Sequence, residues 1–298
     1  MEYRLLGKSA LNISRIGFGC MSLDPADPVS EQILQEALNL GINYFDTADL
    51  YQKGLNEEMV GRAFRGMRDK VIIASKAGNQ WRPDGSGWDW NPSKKYILQM
   101  AENSLRRLQT DYIDLYQLHG GTINDPMDET IGAFELLRAQ GKIRYYGISS
   151  IRPNVIREYI DRSGIVSVMM QYSLLDRRPE ESMLDLLHKK QIGVLARGSV
   201  ASGLLVSKPA APYLNYSAEQ VKLAADAIRE LSDEKRMPAQ TALWFVLQQP
   251  AITSAVVGIR TREHLQGALA AIQSKPLNQQ EMKQLEGSIP INGYENHR

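Results

Sequence analysis

Short apolar, β-rich runs alternate with longer amphipathic runs at a regular pitch along the chain. After a hairpin expected over residues 3–6 and 12–14, the pattern predicts strands at 15–19, 43–47, 71–76, 113–119, 145–149, 166–172, 193–198 and 254–258. Between them, apolar positions recur at helical spacing over stretches such as 30–40, 93–108, 129–139 and 182–190. Several of these open on a Ser or Asp cap, and some close at glycine, as at Gly41 and Gly141. Val71-Ile72-Ile73-Ala74 and the run from Val166 to Met170 are almost wholly apolar, as strands covered on both faces must be. Eight such strands with intervening helices favour an α/β chain closed into a (β/α)8 TIM barrel behind an N-terminal hairpin. The chain reads as a single barrel domain over 1–298, with 1–14 as the hairpin and 275–298 as a C-terminal tail.

Two stretches depart from this rhythm. Residues 81–92, between the third strand and its helix, form the longest irregular insertion and add Trp88 and Trp90 to Trp81. A loop of that length is usually functional. A wall of the substrate opening and plain packing on the barrel rim are both open readings. Gly17-Phe18-Gly19-Cys20-Met21-Ser22 resembles the start of a dinucleotide-binding glycine fingerprint, but the third glycine is missing and no helical pattern begins before about Ser30. An open doubly wound sheet is therefore disfavoured.

Composition narrows the function. Hydrophobic residues make up 43% and charged residues 23% of the 298, the balance of an ordinary globular protein. A formal net charge of +1 without a basic block gives no reason to expect nucleic acid or an anionic membrane surface as a partner. Cys20 is the only cysteine, which excludes an internal disulfide and a multi-cysteine metal site. Four widely spaced histidines give a zinc site little support. The amino terminus shows no signal-like apolar stretch, and the expected location is the cytoplasm.

In such a barrel the chemistry sits at the carboxyl ends of the strands. The polar residues expected there are Asp46, Lys76 and His119, with Tyr51 just beyond in its loop. Each alone has an ordinary reading: a turn cap, a surface charge, a core histidine, a packing ring. Together at one rim of adjacent strands they suggest an active site.

The segments carrying these residues resemble the aldo-keto reductase family. Tyr44-Phe45-Asp46-Thr47-Ala48, then Tyr51, then Asn56-Glu57-Glu58-Met59-Val60-Gly61, are similar to its first signature; Ala74-Ser75-Lys76 is similar to its lysine motif. The run from Asp111 to His119 resembles its histidine-bearing strand, and the run from Gly141 to Ser149 the strand that follows. The likeness extends from Tyr3 to about Ala271 and points to bacterial members grouped as family 11. It implies NADPH as cofactor and a small carbonyl compound as substrate, without metal. Tyr51 would be the proton donor, Lys76 would ease its proton release, Asp46 would hold Lys76, and His119 would orient the carbonyl.

The same resemblance assigns the cofactor contacts. These are Met21 after the first strand, Ser149 and Ser150 after the fifth, and Gln171 on the sixth. Arg197, Gly198, Ala201, Gly203 and Leu205 lie on and after the seventh; Gly258, Arg260 and His264 follow the eighth. Arg260 stands where the family sets a cation against the 2′-phosphate, although a solvated rim arginine is also open. Four positions depart from the family pattern. Ser150 replaces an asparagine, and Met169 a glutamine, with Gln171 two residues on as a same-face substitute. Arg197 replaces a stacking aromatic, and Ala268 an asparagine near adenine. A stacked guanidinium and a rim ion pair are both open for Arg197. Met21, Leu23, Leu50, Trp81, Trp88 and Trp90 suggest a mainly apolar opening suited to hydrophobic or reactive aldehydes. Two other functions stay in view: an NADPH-binding regulatory subunit with vestigial activity, and a barrel lyase or isomerase forming a Schiff base on Lys76.

Overall fold

The hairpin at the amino terminus is β1 (Tyr3–Leu5) and β2 (Asn12–Ser14), antiparallel with Tyr3 opposite Ser14. The computed structural model describes residues 1–298. After the hairpin come β3 (Ile16–Gly19), α1 (Pro28–Asn39), β4 (Tyr44–Asp46), α2 (Leu55–Ala63) and β5 (Ile72–Ala77). The short strands β6 (Asn79–Trp81) and β7 (Trp88–Trp90) precede α3 (Lys94–Leu108), β8 (Ile113–Leu118), α4 (Met127–Ala139) and β9 (Ile143–Ser149). Next are α5 (Pro153–Arg162), β10 (Ser167–Gln171), α6 (Met183–Lys189) and β11 (Gly193–Arg197). The chain ends with α7 (Ala218–Glu230), α8 (Pro238–Leu247), β12 (Ile252–Gly258), α9 (Arg262–Gln273) and α10 (Gln279–Gly287).

Eight parallel strands close in the order β10-β11-β12-β3-β4-β5-β8-β9, a (β/α)8 barrel. The seam where the last strand meets the first pairs Ala255 with Ile16 and Gly258 with Gly19. The strands follow the apolar runs because both faces are covered: every residue of β8, Ile-Asp-Leu-Tyr-Gln-Leu, is buried. Alternate residues serve two cores. Phe45, Ile73 and Tyr116 face the helices in a cluster of 70 residues, while Tyr44, Ala74 and Leu115 belong to a second cluster of 10. That second cluster includes Leu6, Leu11 and Ile13 of the hairpin segment, which plugs the barrel's amino-terminal end. Beside it Arg15 is 1% exposed, and its Nη1 donates to the carbonyls of Ile252 (2.6 Å) and Thr253 (3.1 Å). These carbonyl acceptors offset the burial of that charge, and they pin the base of the seam.

The helices obey local signals. The Ser93 hydroxyl caps α3 by accepting from the Tyr96 amide, and Gln109 ends it in a left-handed conformation. The insertion at 81–92 is more ordered than expected: β6 and β7 pair as a second hairpin, with Trp81 opposite Trp88. The tail is ordered too. Asn278 and Glu281 form a capping box that opens α10, and beyond it Asn292 Oδ1 accepts from the Arg177 amide at 2.9 Å. No helix is long and apolar enough to cross a membrane.

Candidate active site

At the carboxyl ends of the strands a cavity of about 750 Å³ opens, lined by 24 residues. Asp46 closes β4, Lys76 lies one residue before the end of β5, and His119 follows β8. The β-ladder places these ends side by side, with Asp46 opposite Ala74 and Lys76 opposite Gln117. Lys76 Nζ donates to Asp46 Oδ1 at 2.5 Å, to the Thr47 carbonyl at 2.7 Å and to the Tyr51 hydroxyl at 3.4 Å. The Tyr51 and His119 rings stand edge to face, their centroids 6.0 Å apart.

Tyr51 reaches this position through a sharp turn in which Gln52 (φ 45°) and Lys53 (φ 57°) both adopt left-handed backbone. Such conformations cost energy in non-glycine residues, so neighbours must hold them. Gln52 Nε2 donates to the Met21 carbonyl at 3.0 Å, and Trp81 Nε1 donates to the Leu50 carbonyl at 3.1 Å. Trp81 therefore braces the Tyr51 loop and does not line the opening; Leu23 is likewise buried away from it. A deeper layer explains the stretch after Tyr51. Asn56 accepts from Thr47 Oγ1 (2.7 Å) and donates through Nδ2 to the Cys20 carbonyl (2.9 Å), tying the β4 loop to β3. Glu57, fully buried, accepts from Ser75 Oγ (2.5 Å) and from Arg107 Nε (2.7 Å), fixing the strand beside Lys76. The Asn-Glu pair was visible in the sequence, but this positioning work was not.

Burial governs the titration of the group. It pulls the Lys76 ammonium down, yet Asp46 and Tyr51 hold it above the ordinary lysine value. Burial also pushes the Tyr51 phenol above its usual value, and the nearby ammonium offsets only part of that rise. Lysine thus acts in the expected direction but does not win. Burial, reinforced by Lys76 and Arg197, drives His119 down to about 3, so the imidazole is neutral at physiological pH. No group of three or more His, Cys, Asp or Glu side chains is arranged to hold a metal.

Across the mouth the cavity is lined by Met21, Ser149, Ser150, Arg197, Gly198 and Gly258, with Gly19, Ser22, Met169 and Ser202 beside them. Ser202 was not foreseen. It lies between Ala201 and Gly203 in a run with φ of 47°, 57° and 94°, a backbone shape able to turn successive amides toward an anion. Ala201 and Leu205 are buried behind this run, and Gly203 stays outside the cavity. Gln171 also stays outside: its Nε2 donates to the Tyr213 hydroxyl at 2.6 Å and its Oε1 accepts from Arg197 Nη1 at 3.1 Å. Met169 takes the lining position instead. Arg197 is exposed and has no carboxylate in ion-pair range, so the rim ion pair is not formed. Arg260 and His264 lie on the outer rim, both exposed. The Thr261 hydroxyl caps α9 by accepting from the His264 amide at 3.3 Å. Arg262 is engaged by Glu36 at 2.9 Å, whereas Arg260 has no partner.

An eight-stranded barrel with an Asp, Lys, Tyr and His gathered at its mouth matches a known class in both sequence and shape. Residues 15–290 match the Aldo/keto reductase family, and the chain belongs to it. It is accordingly an oxidoreductase by family. Among its relatives is the uncharacterized oxidoreductase YqkF of Bacillus subtilis (strain 168), 50% identical over the full length of both chains. Among solved structures, the holo form of aldo-keto reductase AKR11C1 from Bacillus halodurans is 48% identical, with a TM-score of 0.94 over 100% of this chain and 99% of that one. The apo form of AKR11C1 gives a TM-score of 0.85 over the same shares.

Proposed function

We propose that the protein reduces aldehydes or ketones with NADPH, Tyr51 giving the proton. The observation that carries this reading is Lys76 Nζ set between Asp46 (2.5 Å) and the Tyr51 hydroxyl (3.4 Å) at the floor of the cavity. A nicotinamide cofactor fits the opposite side. Gly19 and Gly258 line the cavity there without side chains, and a Cβ would crowd its neighbours, 3.1 Å from the Val257 carbonyl at Gly19 and 3.2 Å from Ser22 Oγ at Gly258. Arg260, free of any carboxylate, sits beside the capped start of α9, and a helix amino end with a cation is suited to phosphate. Met21, Ser149, Ser150, Arg197, Gly198 and Ser202 would complete the contact.

When bound, reduced nicotinamide supplies the hydride to the carbonyl carbon. The protein's own groups handle the oxygen. The Tyr51 O–H gives its proton to the developing alkoxide, and the Lys76 ammonium stabilises the phenolate left behind. Asp46 and the Thr47 carbonyl keep that ammonium charged and aimed. A neutral His119 has one N–H to donate, which orients the carbonyl oxygen without competing as an acid. The same contacts speak against a Schiff base, because a lysine held as an ammonium has no lone pair for a carbonyl. The test is NADPH oxidation across a panel of aldehydes and ketones. Turnover to the alcohols is expected; tight NADPH binding without turnover would instead identify a regulatory subunit, and no NADPH binding would overturn the reading altogether.

A further inference from the structure

The charge balance of the cavity bears on the substrate, given the reductase reading. Its lining holds one carboxylate, Asp46, already engaged by Lys76, against two further cations, Arg152 and Arg197. The two arginines lie in different surroundings. Arg197 closes β11, next to the glycine and serine backbone of the proposed cofactor side. Arg152 follows β9, but its Nη1 reaches back to the Gly121 carbonyl in the loop that follows His119. That loop packs on the second hairpin: a Cβ at Gly120 would lie 3.0 Å from the Trp90 ring. Arg152 therefore belongs to the wall formed by Trp88, Trp90 and the His119 loop.

Its guanidinium is half-buried, pairs with no carboxylate, and spends one donor on a neutral carbonyl. The acidic residue of the neighbouring loop, Asp125, is committed elsewhere. It accepts from Trp90 Nε1 at 2.9 Å, from the Thr122 amide at 2.7 Å and from Thr122 Oγ1 at 2.6 Å. A planar, permanently charged fork with free donors on a cavity wall matches a carboxylate. Leu50, Trp88 and Ile151 add apolar surface to the same cavity.

We propose that Arg152 is a specificity-determining residue that holds a terminal carboxylate of the carbonyl substrate, whose apolar body rests on the tryptophan wall. The favoured substrates are then aldehydes carrying an anion at the far end, which sharpens the expectation of simply hydrophobic ones. The test compares kcat/KM for 4-carboxybenzaldehyde and 4-methylbenzaldehyde, with saturating NADPH, in wild type, Arg152→Gln, Arg152→Lys and Arg197→Gln. Wild type should prefer the carboxylate by about ten- to a hundredfold, the range that one charge-assisted hydrogen bond carries. Arg152→Gln should abolish that preference, and Arg152→Lys should restore part of it. An equal wild-type rate for the two aldehydes, or a preference that survives Arg152→Gln but is lost in Arg197→Gln, would overturn the assignment while leaving the reductase standing. No NADPH oxidation with either aldehyde, while other carbonyls of the panel are reduced, would overturn the assignment of Arg152 alone; no oxidation with any of them would overturn both.

Discussion

The two sides of the barrel mouth are built on opposite plans. On the side of β4, β5 and β8, the ionisable groups are buried and already answer one another: Lys76 and Asp46 are 1% and 4% exposed and in contact. On the side of β11 and β12, the cations are exposed and unpaired; Arg197 leans on a neutral glutamine and Arg260 on nothing. A buried ion pair that loses one partner leaves an uncompensated charge, so the first side is fixed in place by its own cost of separation. The second side carries no such constraint, and its unpaired cations are suited to the anionic cofactor proposed above. One side is thus held by its own pairing, while the other leaves its charges free.

The comparison breaks most visibly at Tyr51. Tyr51→Phe removes the acid but keeps the ring, so NADPH affinity should survive while the chemical step slows by about 10²–10⁴-fold. The pH profile adds a second reading. In the proposed role Tyr51 must be protonated to act, and burial holds its phenol above the usual value. Reduction by the wild type should therefore decline only on the alkaline side of that value, as the proton is lost. His119, neutral down to about 3, should add no acid limb above that pH. Single-turnover rates against pH check both points. A near-normal rate in Tyr51→Phe, where chemistry limits turnover, would remove Tyr51 from its role.

On the open side, Arg260→Ala should weaken NADPH binding by roughly ten- to a hundredfold, given ~1.5–3 kcal/mol for a charge-assisted hydrogen bond. NADH binding should hardly change, and titration of both cofactors reads the difference. Equal wild-type affinities for the two would sink the 2′-phosphate assignment. A smaller effect is expected at Arg197. Without an acidic partner, its guanidinium is free to lie beside the nicotinamide, where it would repel the cationic oxidised ring more than the neutral reduced one. Two unit charges ~4 Å apart interact by about 4 kcal/mol at an effective dielectric of ~20. Delocalisation and water should leave roughly 1–2 kcal/mol of this, about five- to thirtyfold in affinity. Arg197→Tyr should tighten NADP⁺ more than NADPH, as measured by both dissociation constants at fixed ionic strength. Equal effects on the two would assign Arg197 a part in holding Gln171 alone.

What could be read from the chain divides along the same physical lines. Parallel strands wrapped on both faces must be apolar, so Val71-Ile72-Ile73-Ala74 announced β5 and led directly to Lys76 near its end. The second hairpin escaped because β6 and β7 are three residues each, largely exposed, and stabilised by contacts with the Tyr51 loop. The α8 helix is apolar on every side from Ala242 to Leu247, which erases the periodicity that marks a surface helix. In the tail, Asn278 followed by Glu281 was a readable start signal for α10. The destination of the last residues was not readable, since it depends on distant groups such as Arg177 and Asn154. Arg152 was missed for a similar reason: what distinguishes it from a solvated arginine is the absence of a carboxylate nearby, a property of the assembled cavity.

The seam between β3 and β12 has a kinetic consequence. Its pairing joins residues from opposite ends of the chain, and Gly19 and Gly258, one from each strand, face the same cavity. Contacts so distant in sequence carry a loop-closure penalty that local pairings do not, and such pairings slow folding. A chain whose other strands have already paired, but whose ring is still open, therefore lacks half of the proposed cofactor cradle. Any molecule that bridges Gly19 and Gly258 binds the closed ring alone, and by mass action withdraws chains from the open population. If the proposed cofactor spans these two glycines, its presence during refolding should raise the yield of closed chains.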